Sequence, residues 1–408
     1  MRNMILSVVL LVGVTACGRQ EKEHVATAIA QLPVVAERVV MGGDTVVVCH
    51  PERLTDSIAL PLSHFVEDLE IIPLERKDEA YVRSSSVRVS ENYILVHSSR
   101  NMPFRLFTRQ GKFVCNIGSS GNGHGNYGQV SEFQLDEKHN RIYIMPWTAK
   151  QLIVYDLQGQ FQGFIPLNAP DEQPWDLPKS VFRVDGDRKE ITIATLPWKV
   201  NPRVAWVQDF EGNIRQEFPY KGSRTETDYS TDVYHRHNTG TFDLSFLIFR
   251  PQKNDSLYRC SVTDNALHPV FTFDVPGNKA FPNKCFEYPT CFVGTIIGRM
   301  EQDGFATFES RDHLEFFVDK RTLRGGRYGV YNDFLGHTDV YWFEHARNGY
   351  YCRNISPSDL KEELQEALCR DDLSPDMRKK LSALEKSIDT DRDNNYLMLG
   401  KLKQQGWF

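Results

Sequence analysis

The chain is 408 residues long, 40% hydrophobic, 25% charged and 12% aromatic, which supplies a sizeable buried core and excludes wholesale disorder. Its formal charge of −6 comes with no continuous basic block, which argues against nucleic acid as a partner, because such surfaces collect a basic excess or stripe. The basic runs at 321–327 and 378–380 are interrupted by small or apolar residues and read as solvated faces.

At the N-terminus, Arg2 is the single charge before an apolar stretch, residues 5–14, that ends in Val14-Thr15-Ala16-Cys17. A short positive region, an apolar region and a small-residue cleavage site make a secretory signal peptide, residues 1–16. The apolar run falls short of the roughly 20 residues that span a bilayer. Val14 to Cys17 resembles the bacterial lipobox, which implies diacylglycerol on Cys17 and membrane attachment through an N-terminal lipid, held by several acyl chains. Residues 17–57 then read as a tether and N-terminal segment, beginning with the charged run Gly-Arg-Gln-Glu-Lys-Glu. The expected address is the bacterial cell envelope, at the outer membrane on its periplasmic or surface face.

With Cys17 taken by lipid, seven cysteines are left, an odd number that cannot all pair. Cys49, Cys115, Cys260, Cys285, Cys291, Cys352 and Cys369 show no CxxC spacing, so they read as small apolar residues rather than a zinc cluster. A Cys285–Cys291 bridge is the one pairing that a short loop would allow.

From about residue 60 the chain repeats. Apolar runs flank polar turns at Gly111, Gly159 and Gly212, and similar turns without glycine follow at Asp264-Asn265 and Asp319-Lys320. A period of roughly 50 residues marks a repeated supersecondary unit. A further strand pair precedes each turn, at 87–96, 133–145, 181–194, 244–249 and 295–308, giving four strands per unit. Helical spacing appears only at 358–388, where Leu360, Leu364, Leu368, Met377, Leu381 and Leu384 recur around a Ser-Pro-Asp break. The expected fold is all-β, a six-bladed β-propeller of four-stranded blades spanning 58–403, with a helical insertion in the last blade and a tail at 404–408. The strand-like segments 58–74 and 396–402 are expected to share blade six, so that no edge stays open.

The run Ile117-Gly-Ser-Ser-Gly-Asn-Gly-His-Gly-Asn-Tyr127 resembles the Ile-Gly-x-x-Gly-x-Gly-Pro-Gly-Glu-Tyr signature of bacterial six-bladed propeller lipoproteins related to NHL-repeat proteins. Ile71-Ile-Pro-Leu-Glu75 and Asp393-Asn-Asn-Tyr-Leu-Met-Leu399 look like the first and last strands of that group. His124, Asn126 and Asn395 depart from it, standing where Pro, Glu and Pro are usual. The resemblance implies export and architecture, not an activity.

Residues 123–128 also satisfy GxGxxG, but a dinucleotide site needs a helix next, and 132–145 is strand-like, so the run reads as an inter-blade loop. His235 and His237 lie two apart in Tyr234-His-Arg-His-Asn238 without a third ligand, and the segment reads as an exposed polar loop rather than a metal site. Trp147, Trp175, Trp198 and residues 229–239 fall at strand ends, where aromatics stack on sugars or cover blade rims, and rim packing is the expected role. GxSxG, HExxH, P-loop and EF-hand patterns are missing, and no cofactor is expected. The leading functional expectation is a membrane-anchored, non-catalytic binding or scaffold module that recognises a protein or glycan. The alternative is a carbohydrate-active or lactonase-like propeller enzyme with its site at the channel mouth, assembled from several blades.

Overall fold

The structure is a computed structural model that describes residues 10–11, 18–83, 86–98, 102–121, 123–168, 177–249, 251, 253–275, 280–297, 313–340 and 345–403. Cys17 and most of the signal stretch, Trp175, the end of the strand expected at 295–308, and the tail at 404–408 lie outside the described residues.

Six sheets, each built on four antiparallel strands, succeed one another around a ring. Blade 1 is Ser86–Val89, Tyr93–His97, Phe104–Thr108 and Phe113–Ile117; blade 2 runs from Val130–Asp136 to Phe161–Pro166, and blade 3 from Val181–Asp185 to Ile214–Phe218. Blade 4 begins at Asp232–Arg236 and blade 5 at Asn283–Glu287. Blade 6 closes the ring with Ala346–Arg347, Tyr350–Ile355, Tyr396–Lys401 and Glu70–Pro73, in that order across the sheet. First and last segments thus share a sheet, as expected, and Leu10–Leu11 pairs on the outer side of Glu70–Pro73.

Apolar burial is divided among six slabs, one at each blade-to-blade interface. Leu106, Phe104, Ile142 and Ile153 fill the slab between blades 1 and 2. Trp206 sits between blades 2 and 3, Trp198 between 3 and 4, and Phe271 with Phe316 between 4 and 5. Each blade is therefore buried on both faces. That explains why several strands read as continuous apolar runs instead of alternating, as in Leu152-Ile-Val-Tyr155, every residue of it buried.

The turn glycines do what the repeat implied: Gly111, Gly159 and Gly212 hold φ of 80°, 78° and 89°, a backbone region that costs other residues strain. Gly111 also touches the neighbouring blade, since a Cβ there would meet the carbonyl oxygen of Pro73.

The segment 58–74 does not lie in blade 6 as one piece. Ser57–Pro61 pairs in parallel with Gly325–Asn332 of blade 5, and only Glu70–Pro73 reaches blade 6. The turn at Leu62–His64 and the buried Phe65 and Val66 between them reverse the direction, which a single-strand reading overlooks. Nor is the start of the chain a plain tether. Helix α1 (Gly18–Gln31) buries Val25 and Ile29 in the core between blades 5 and 6. A hairpin, Ala36–Met41 with Asp44–Cys49, extends blade 4 through a parallel pairing with Ala266–Phe273.

The helical insertion is as expected: α2 (Pro357–Leu368) and α3 (Pro375–Ser387) lie between two strands of blade 6. Each starts with serine as N-cap and proline at the first turn, Ser356 Oγ accepting from Asp359 N at 3.1 Å and Ser374 Oγ from Met377 N at 3.2 Å. Leu360, Leu364, Ala367 and Leu381 point into the core shared with Phe334 and Leu335. All seven described cysteines are free. The Cys285–Cys291 bridge is ruled out by pleat and burial: Cys285 packs between blades 4 and 5 and Cys291 between blades 5 and 6, on opposite faces of one sheet.

Candidate functional site

The first strand of each blade lines the centre of the ring, and three of these strands bring polar side chains, two of them guanidiniums, to one carboxylate on a fourth. Glu132 of blade 2, its side chain 5% exposed, accepts from Arg88 Nη2 of blade 1, from Arg347 Nη1 of blade 6 at 3.2 Å, and from His235 Nε2 of blade 4 at 2.8 Å. Its own strand contributes too, Phe133 N donating to Oε1 at 2.9 Å. Arg88 is fixed further by Nε donating to the Phe133 carbonyl at 3.2 Å and by its guanidinium 4.2 Å from the Phe133 ring centroid.

Electrostatics follow from this crowding. Burial alone would raise the Glu132 carboxyl, yet Arg88, Arg347 and His235 hold it well below the ordinary carboxylate range, so it is ionised. Burial lowers His235 to about 4, against the pull of Glu132, so the imidazole is neutral, donates through Nε2 and leaves Nδ1 buried without a hydrogen-bond partner among the described residues. Burial, then Arg347, lowers Arg236 to about 9; it lies 4.4 Å from the Phe286 ring centroid and its Nε has no hydrogen-bond partner among the described residues. Arg88 falls to about 10 through burial and then Arg347. Three guanidiniums, Arg88, Arg236 and Arg347, therefore share the centre with one carboxylate.

A cavity of about 230 Å³ opens beside this group, between the first strand of blade 1 and blade 6, lined by Ser86, Arg88, His345, Arg347, Asn348 and Tyr350 among others. Among the described residues the first strand of blade 6 is Ala346–Arg347, turned back at once by Asn348-Gly349 with φ of 55° and 82°, a two-residue hairpin that places Arg347, Asn348 and Tyr350 on the cavity.

A second ionic group joins blades 4 and 5: Arg259 Nε meets Asp243 at 3.3 Å, its Nη2 meets Glu287, and Lys320 meets Glu287 at 2.6 Å. Burial, then Glu287, raises Asp243 to about 6. Polar contacts also join earlier blades on exposed turns: Asn92 donates to Glu137, and Lys138 forms an ion pair with Asp187.

Several residues singled out in the sequence stand elsewhere than expected. Tyr234–Asn238 is no exposed loop: Asp232–Arg236 is the first strand of blade 4, His235 is 5% exposed, and His237 is half-buried with its ring stacked 5.2 Å from Phe242. The polar composition reflects a buried charged centre instead of solvent. Among the described residues no group of three or more His, Cys, Asp or Glu is arranged to hold a metal. Trp198 packs as core and donates to the Asp228 carbonyl at 3.3 Å, with Tyr229 edge-on at 5.3 Å, while half-buried Trp147 faces Lys179 Nζ at 5.5 Å. The glycine-rich run connects blade 1 to blade 2, tied by Tyr127 Oη donating to the Ile117 carbonyl at 2.6 Å and accepting from Phe104 N at 2.8 Å. Arg88, Glu132 and Arg347 were not singled out. Their one signal is a charge set among the apolar residues of a strand, as in Val87-Arg88-Val89.

Blades and centre together define a six-bladed β-propeller with a charged core to its ring. The chain belongs to the family described as a domain of unknown function, DUF4934, whose model matches residues 46–401. Among solved structures, a protein of Bacteroides fragilis described as exported has a TM-score of 0.53 at 16% identity, covering 85% of this chain and 99% of that one. A DUF4221 family member from Bacteroides vulgatus gives 0.41 at 10% identity, covering 83% and 98%. The periplasmic gluconolactonase of Pseudomonas aeruginosa gives 0.33 at 12%, covering 71% and 89%. These likenesses concern the fold. No curated protein matches in sequence.

Proposed function

We propose that the protein is a lipid-anchored lipoprotein of the bacterial envelope, at the outer membrane, whose propeller is a non-catalytic binding module for a protein or glycan. Kinship with NHL-repeat propellers belongs to the same reading. The address rests on the signal stretch and on Val14-Thr15-Ala16-Cys17. Cleavage there removes Leu10–Leu11 and leaves Glu70–Pro73 as the edge of blade 6. No helix among the described residues is long and apolar enough to cross a membrane.

The binding reading is carried by the state of Glu132. A carboxylate locked ionised by two guanidiniums and a neutral imidazole is poorly placed to exchange protons, because general acid–base work needs a group that titrates near the working pH. Four blades converging on it make a rigid, preorganised centre, which favours recognition. Two measurements test the proposal. Cys17→Ser is expected to shift the protein from the membrane to the soluble fraction; unchanged membrane fractionation overturns the anchor. Specific turnover of a glycoside or lactone panel that is abolished by Glu132→Gln overturns the non-catalytic reading.

A further inference from the structure

We propose that the cavity between blades 6 and 1 binds an oxyanion group, the carboxylate of an acidic sugar or a free inorganic oxyanion, with Arg347 as its principal contact and Arg88 behind it. This deepens the binding-module reading and rests on it.

The first argument is charge. Arg88 and Arg347 pair with a single carboxylate, Glu132, while Arg236 beside them makes no ion pair with a described carboxylate and donates to the His235 carbonyl; with His235 neutral, these groups hold two positive charges in excess. Arg88 and Arg236 are 8% and 5% exposed. Like charges brought together away from water repel each other and pay for lost hydration unless an anion meets them. The second argument is unused donor capacity. Arg347 spends only Nη1 on Glu132; its Nη2 and Nε make no hydrogen bond to a described residue, and the side chain, 24% exposed, lines the cavity. A guanidinium anchored at one corner and open along another edge presents the fork that fits two oxygens of a carboxylate or phosphate.

Shape is the third. The cavity, about 230 Å³, lies below the range of roughly 300–1,000 Å³ typical of drug-sized ligands. It suits one small anion or one charged residue at the end of a longer chain. Asn348 and Tyr350 in the wall add polar and aromatic surface of the kind that holds a sugar ring.

Calorimetric titration of the full mature chain, solubilised in neutral detergent, with galacturonate, galactose and inorganic phosphate tests this. The wild type is expected to bind galacturonate or phosphate saturably, more weakly as salt rises, and to ignore galactose. Galacturonate alone identifies an acidic sugar, and phosphate alone a free-oxyanion site; either supports the proposal. Arg347→Gln should weaken binding about tenfold or more, as loss of a charge-assisted hydrogen bond implies. Arg347→Lys, which keeps a cation beside Glu132, should fold as the wild type and bind with intermediate affinity. Circular dichroism of each variant separates lost binding from lost fold. No anion binding by the wild type, or binding unchanged in a folded Arg347→Gln, overturns the proposal. Galactose or a protein binding where anions do not overturns it while leaving the binding-module reading intact; turnover of the sugar overturns that reading instead.

Discussion

His235 Nε2 and Glu132 Oε2 stand 2.8 Å apart although 103 positions separate them in the chain. The contact crosses the ring from blade 4 to blade 2, and Glu132 simultaneously holds Arg88 of blade 1 and Arg347 of blade 6. One carboxylate therefore ties four blades together, and its removal leaves buried guanidiniums without their counter-charge. Glu132→Gln is expected to destabilise the fold by about 3–5 kcal/mol, the usual penalty for breaking a buried pair from one side. Urea unfolding checks it. Replacing both Arg88 and Glu132 by apolar residues should cost less than the two single changes summed, because the double variant leaves no orphaned charge between them.

That network also shows where sequence reasoning stops. Strand pairs, turn glycines, the period and the helical insertion are local features, so the propeller could be read directly from Gly111, Gly159, Gly212 and residues 358–388. Arg88, Glu132, His235 and Arg347 meet only because the ring closes, with Glu132 and Arg347 215 positions apart. No spacing rule encodes that distance. The misplaced segments have a related cause: Ser57–Pro61 and the 36–49 hairpin both attach to blades far along the chain through parallel pairing, which leaves no hairpin turn to read.

Acid should weaken the protein through neutral histidines that are shielded from water, His235 fully and His64 and His97 in part. Burial lowers His64, His97 and His235 each to about 4. A histidine whose folded pKa lies below its unfolded value binds fewer protons when folded, so stability falls as pH drops from about 6.5 towards 4. Asp243, raised to about 6 chiefly by burial, acts in the opposite sense over part of that window. His97 isolates the effect, since it stacks 4.3 Å from Phe104 and its Nε2 has no hydrogen-bond partner among the described residues. In His97→Phe the pH dependence of unfolding free energy should flatten by about 1.4 kcal/mol per pH unit within the window, one proton's worth. An unchanged slope contradicts the burial argument.

Alkali should loosen the N-terminal hairpin. His268 on the last strand of blade 4 meets Asp44 of the hairpin at 2.6 Å and Asp264 at 2.7 Å. These hydrogen bonds, Asp44's the stronger, raise its pKa. The sign is opposite to that of the shielded histidines: a raised folded pKa gives stability that is complete below about 6.5 and lost as pH climbs through the folded value. Hydrogen exchange of the Asp44–Cys49 amides should therefore accelerate from pH 6 to 9 beyond the intrinsic rate. In His268→Gln the same amides should exchange fast throughout.

Two glycines with the same backbone angle separate strain from crowding. Gly111 and Gly240 both have φ of 80°, but a Cβ on Gly240 meets nothing within 4 Å, whereas one on Gly111 runs into the Pro73 carbonyl oxygen and the Ile72 side chain. Gly240→Ala should cost only the left-handed strain, about 1–2 kcal/mol. Gly111→Ala adds a clash with backbone that cannot rotate away, at the seam where blade 6 meets blade 1 and where Glu75 N donates to the Gly111 carbonyl at 2.8 Å. It should destabilise the protein by clearly more than Gly240→Ala in parallel urea titrations. The extra loss should appear as faster exchange of the amides of Glu70, Ile71 and Ile72, because that strand holds the closure of the ring. Equal costs at the two sites would mean that the seam yields, and that ring closure tolerates a shift of blade 6 against blade 1.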